Sequence, residues 1–323
     1  MNAGTMNAGT PNAGTPNAGT MNAGTPNAGT MNAGTPNAGT PNAGTPNAGT
    51  LKVAGATLRY ESRGTGPVLL LIPGGAGDAG LFEGMAGALA DAGHTVVSYD
   101  QRGLSRSPLD GPLGDQRVTE WREDALAVLD AVSPDAPAYV FGSSSGAIVA
   151  LALLAAHPHR VRRLVAHEPP LVELLADPAP YRDHFAEVRE LHRTRGLAAA
   201  MARFAETPDG RKPEPGPERR NGELPASIRP MASRMAANMP VFLEHVLCPF
   251  SSSAPDLEGL RAAAGKLVLG VGRESAGQEA LVGPSRRIAE LTGAVTAEFP
   301  GGHVGCVEHP VEFAEVLVSS MRR

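Results

Sequence analysis

The chain has 323 residues, a formal net charge of −5 and two cysteines, and all 28 of its Lys and Arg and all 33 of its Asp and Glu lie after residue 50. Mild acidity without a long basic run argues against nucleic acid or an anionic membrane as partner, and Cys248 and Cys306 alone cannot make a disulfide framework. No apolar stretch approaches the roughly 20 residues that a transmembrane helix needs, and no basic segment leads into an apolar run at the front, so a soluble, cytoplasmic protein is expected.

Residues 1–50 are pentapeptides of Met- or Pro-Asn-Ala-Gly-Thr, without a charged, aromatic or branched aliphatic side chain. A period of five is too short for a solenoid unit, and Gly, Asn and Pro favour turns over regular structure. Such a tract buries too little to offset its ordering entropy, so 1–50 is expected to be a disordered, low-complexity leader.

After it, short β-branched runs alternate with helical stretches, the pattern of an α/β fold with a mostly parallel, doubly wound sheet. Lys52–Ala54 and Thr57–Glu61 read as a hairpin around Gly55. Val68–Ile72 is a continuous apolar run, as expected of a strand buried on both faces. Further strands are expected at Thr95–Tyr99, Ala138–Phe141, Val161–Ala166, Lys266–Val271 and Val295–Phe299. Helical composition marks Leu81–Ala92, Val118–Val132, Ser145–His157, Ser285–Thr292 and Pro310–Met321. One segment breaks the rhythm. Residues 169–265 hold no convincing strand but have Ala-, Met- and Arg-rich helical stretches around a Pro- and Gly-rich middle, Pro208–Pro225. They read as a helical cap inserted into a core made of 51–168 and 266–323.

The chemistry concentrates at two places. Phe141-Gly-Ser-Ser-Ser-Gly146 leaves a strand and runs straight into a helix, the context of a nucleophile elbow. Spacing to Gly142 and Gly146 selects Ser144 over Ser143 and Ser145. A serine hydroxyl needs a general base, and His303, on the Gly-rich loop Pro300–Val304 after the last strand, is the histidine best placed to project across the sheet edge. His94, His157, His159 and His309 lie near helix ends, while His184, His192 and His245 fall in the insertion with surface roles expected. Cys306 reads as packing.

The order Ser144…acid…His303, with this elbow and an inserted cap, resembles the α/β-hydrolase superfamily over essentially Leu51–Arg323. The resemblance implies an acyl-enzyme mechanism on a small-molecule substrate, with no cofactor and no metal. It places Pro73-Gly-Gly-Ala-Gly77 where the family has a His-Gly oxyanion loop, with Pro73 in place of the His. The N–H of Gly75 or of Ala76 would then join that of Ser145 in holding an oxyanion. Asp100-Gln-Arg-Gly103 resembles proline iminopeptidases, and in such proteins Asp100 and Arg102 are structural. The family usually puts its acid in a Gly-x-x-Asp after the seventh strand, but that register here falls on Ser275. Two candidates remain: Glu274, one residue earlier, and Glu168 after the sixth strand, where haloalkane dehalogenase-like relatives can carry the carboxylate; Asp256 is a distant third.

A serine at the elbow excludes the Asp-based covalent chemistry of dehalogenases and epoxide hydrolases. Cleavage of an ester-like bond in a small or medium apolar substrate is the leading expectation, and Met231, Met235 and Met239 at spacing of four could line its pocket or merely pack the cap. Acyl transfer, carbon–carbon bond hydrolysis and peptidase action on an N-terminal Pro are alternatives. A ligand-binding protein without catalysis, or an adhesive role for the repeats, would be of another class. Oligomeric state is not legible.

Overall fold

A computed structural model describes residues 1, 46–208 and 228–322. Its centre is an eight-stranded sheet in the order β1-β2-β4-β3-β5-β6-β7-β8. The strands are β1 (Asn47–Val53), β2 (Ala56–Arg63), β3 (Val68–Ile72), β4 (Thr95–Tyr99), β5 (Ala138–Ser143), β6 (Val161–His167), β7 (Leu267–Gly272) and β8 (Val295–Phe299). β1 pairs antiparallel with β2, and β2 antiparallel with β4; every later pairing is parallel.

The strand at the heart of the sheet explains the layering. All five residues of β3 are buried, and alternation sends Leu70 and Ile72 to one face and Leu69 and Leu71 to the other. On the first face lie α2 (Val118–Val132) and α3 (Ser145–Ala156), contributing Trp121, Val128, Leu129 and almost the whole of α3. On the second lie α1 (Glu83–Asp91) and α11 (Pro310–Arg322), contributing Met85, Leu89, Phe313 and Leu317. Each such aliphatic side chain, fully buried, contributes roughly 1.5–3 kcal/mol. That two-sided burial is why β3 reads as an unbroken apolar run.

Between β6 and β7 come α4 (Ala179–Arg195), α5 (Leu197–Phe204), α6 (Ala232–Val241), a π-helical turn over Phe242–Val246, α7 (Leu247–Ser251) and α8 (Leu257–Ala262). No strand occurs in this insertion among the described residues. Its Pro- and Gly-rich middle lies outside the described residues from 209 to 227. The π-helical turn follows directly on Pro240, which lacks the N–H needed to continue the ladder of α6. After β7 come α9 (Glu279–Thr292), then β8, α10 (Gly305–Glu308) and α11.

Two boundaries differ from expectation. Residues 2–45 of the expected leader lie outside the described residues, but its end is not a free coil: Asn47–Thr50, most of the last pentapeptide, form the first half of β1. They bring no core side chain, and need none, because β2 offers a row of backbone donors and acceptors along its outer edge. α9 begins at Glu279, not at Ser285, and carries Pro284 inside it. The helix forfeits one hydrogen bond there and keeps the burial of Val282, Gly283 and Pro284.

Candidate active site

β5 and α3 meet at Ser144, whose φ of 55° and ψ of −124° lie outside the regions that residues with a side chain ordinarily adopt. Its N–H donates to His167 O at 2.9 Å, and its carbonyl accepts from Ala147 N at 2.9 Å as the helix begins. The bend leaves no room for side chains beside it. A Cβ on Gly142 would come within 2.4 Å of Gly146 O, and one on Gly146 within 2.2 Å of Ile72 O. Strand, turn and helix thus close on two glycines and turn out the serine between them.

β6 ends one residue before Glu168, which has a φ of 47° and is fully buried. Its backbone N–H donates to Gly270 O at 3.1 Å, and Oε1 accepts from Gly272 N at 2.8 Å. Oε2 lies 2.8 Å from Nδ1 of His303, which the loop after β8 brings from the far side of β7. Burial alone would raise the Glu168 carboxyl; the His303 contact, with the neighbouring His167 and Ser275, outweighs it and lowers the value to about 2. A carboxylate on Nδ1 selects the tautomer with its proton there and leaves Nε2 as the base.

The loop after β3 turns next to the elbow. Gly77 N donates to Gly74 O at 3.1 Å, closing a turn whose central residues are Gly75, at a φ of 58°, and Ala76. Gly75 N is engaged, donating to Ser145 Oγ at 2.9 Å. Ala76 N makes no such bond among the described residues, and Ser145 N, at the first position of α3, has no acceptor within the helix.

A family model described as alpha/beta hydrolase fold matches residues 67–220. The uncharacterized hydrolase YraK of Bacillus subtilis is 34% identical over 272 residues, which cover 83% of this chain and 93% of that relative. The chain belongs to the α/β-hydrolase family. A zearalenone hydrolase of Cladophialophora bantiana is 28% identical over 274 residues, covering 82% of this hydrolase and 92% of that enzyme. Among solved structures, a carboxylesterase of the thaumarchaeon Nitrososphaera gargenis superposes with a TM-score of 0.64 at 17% identity, over 85% of this chain and 98% of that one.

Of the two carboxylates that spacing left open in this hydrolase, Glu168 is the one on the imidazole. Glu274 is exposed on the turn after β7, tied in through its backbone, the N–H donating to Gly301 O at 3.0 Å and the carbonyl accepting from Gln278 Nε2 at 3.4 Å. Ser275, in the register of the usual acid, is fully buried close to Glu168. Asp256 accepts from Gly259 N at 2.9 Å as the cap of α8 and is remote in role. Asp100 is buried, accepting from Ala79 N and from the Arg106 backbone and guanidinium, while Arg102 pairs with Asp124 at 2.6 and 2.5 Å. Both hold loops in place, as the resemblance implies. Burial pushes the Cys306 thiol up to about 12, in keeping with packing and not chemistry.

Three residues of the site region were missed in the sequence. Asp78, Arg234 and Asn238 join the loop after β3 to α6 of the insertion. Arg234 Nε lies 2.5 Å from Asp78 Oδ2, and Asn238 Nδ2 donates to Ala76 O at 3.0 Å. The one available signal was compositional: only Asn221 and Asn238 are asparagines outside the repeats, and Asn238 sits in mid-helix among Ala and Met.

Proposed function

We propose that the protein is a serine hydrolase that cleaves an ester or lactone of a small or medium, apolar substrate through Ser144, His303 and Glu168. The carrying observation is the 2.8 Å contact between His303 Nδ1 and a buried carboxylate held in place by the Gly272 amide. In this reading Ser144 Oγ attacks the acyl carbon as His303 Nε2 takes its proton, and the carbonyl π pair moves onto oxygen. Glu168 stabilises the imidazolium. The N–H groups of Ala76 and Ser145 hold the oxyanion, with Gly75 fixed to the Ser145 hydroxyl as support; such a donor is worth roughly 10²–10³ in kcat. Collapse expels the alkoxide, which takes the proton from His303, and a water then releases the acyl group by the same steps. The mechanism calls on no cofactor or metal.

The substrate class rests on the relatives and on the insertion, which acts in this reading as a cap. Zearalenone, named for one relative, is a lactone. Met231 is buried and Met235 and Met239 pack partly against the core, so α6 brings apolar side chains beside the polar contacts that Arg234 and Asn238 make with the loop after β3. An aminopeptidase would need an acidic group there to grip an amine; of Glu173, Glu187, Glu190 and Glu244, all but Glu190 are paired with an arginine among the described residues. Two unpaired cysteines keep the cytoplasm as the proposed compartment.

The test is intact-protein mass spectrometry after exposure to a fluorophosphonate, followed by turnover of p-nitrophenyl esters of graded chain length and of a macrocyclic lactone. Labelling at Ser144, lost in Ser144→Ala and in His303→Ala, is the expected result. Folded wild-type protein that neither labels nor turns over any of these substrates would overturn the reading.

A further inference from the structure

Three described residues other than glycine have a positive φ: Ser144, Glu168 and Ser105. Backbone strain of this kind persists where surroundings enforce it, and it gathers at functional sites. The first two are the proposed nucleophile and acid. Ser105 is neither, and it lies on the loop after β4 facing the insertion.

Asn238 holds Ser105 through both its backbone and its side chain. Ser105 N donates to Asn238 Oδ1 at 2.8 Å, which fixes the amide's orientation and leaves both Nδ2 hydrogens to be placed. One goes to Ser105 Oγ at 2.8 Å and the other to Ala76 O at 3.0 Å. Ser105 Oγ passes its own proton to Asp78 Oδ2 at 2.8 Å, and Arg234 closes the network on the same carboxylate. Asn238 and Asp78 are buried, so these bonds face no competition from bulk water.

We infer that Asn238 is a positioning residue for the oxyanion hole, an inference that rests on the serine-hydrolase reading. The geometry is a clamp on one peptide unit. Gly75 N is held by Ser145 Oγ, and Ala76 O is held by Asn238. The peptide between these two points carries the Ala76 N–H, and holding both of its neighbours restricts how that N–H can turn. Asn238 belongs to α6 of the insertion, so the oxyanion donor is aimed only while α6 is seated.

Asn238→Asp is the decisive variant. It keeps the shape and the acceptor for Ser105 N, but turns an oxygen towards Ala76 O in place of a donor. Asn238→Ala removes the whole contact, and thermal unfolding of both variants reports on folding. With an ester that the wild type turns over, kcat is expected to fall roughly 10- to 100-fold in each variant, less than for outright loss of a donor, with KM within about threefold. A trifluoromethyl ketone, whose carbonyl accepts Ser144 Oγ to form a hemiketal oxyanion, should lose affinity by the same factor as kcat/KM. A merely structural role would not make the two losses match. Wild-type kcat in Asn238→Asp, or a fall in kcat with unchanged ketone affinity, would overturn the inference. Absence of labelling and turnover in the wild type would instead fail the serine-hydrolase reading itself.

Discussion

Glu168 spends a left-handed backbone, two hydrogen bonds to β7 and full burial on holding one imidazole nitrogen. Replacing it with Gln keeps the shape but offers an amide that can present its N–H to Nδ1, favouring the wrong tautomer. Glu168→Gln is therefore expected to lower kcat roughly 10³-fold or more, while Glu274→Gln, on an exposed turn, should stay within about twofold; steady-state rates on an activated ester separate the two. Spacing selected Ser144 and His303 because each announces itself locally, by Gly-x-Ser-x-Gly after a strand and by a Gly-rich loop before the last helix. The carboxylate proposed as the acid, Glu168, had no such signature. Its contact with His303 spans 135 residues, and nothing local tells which loop reaches the ring. Asn238 was out of reach for the same reason, its partner Ala76 lying 162 residues away.

At the scale of elements, β5 and α3 meet closely under the end of β3. A methyl on Gly146 would sit 2.2 Å from Ile72 O, a main-chain atom of the central strand that cannot step aside alone. Gly146→Ala should thus cost about 2 kcal/mol or more, which for a chain of this size lowers Tm by about 3 °C or more in a calorimetric scan. β3 was legible because two-sided burial writes it as an unbroken apolar run, and the helices between strands because the period changes there. The start of α9 was not, since Pro284 reads as a helix opening and only the packed surface beneath it carries the helix across. The strand order was not legible either, because adjacency of β4 and β3, and of β3 and β5, is a matter of crossover and not of composition.

For the molecule as a whole, the ends of β6 and β7 make stability sensitive to acid. Burial holds the His167 imidazole down to about 4 from its ordinary 6.5. Between those values the unfolded chain takes up a proton that the folded one refuses, so stability falls as pH drops from 6.5 to about 4. Glu168, held at about 2 against an ordinary 4.5, continues the loss below pH 4.5. Each window is worth up to about 3 kcal/mol. Urea unfolding between pH 7 and 3 should show both, and His167→Leu should flatten the upper window, because among the described residues neither ring nitrogen has a hydrogen bond to lose. At the far edge of the sheet, β1 opens with Asn47-Ala-Gly-Thr50, four residues spelled identically in every upstream pentapeptide. Replication slippage that adds or removes whole repeats would therefore always deliver the same four residues ahead of Leu51, so the gene can vary in length at this point without altering the strand that its product folds.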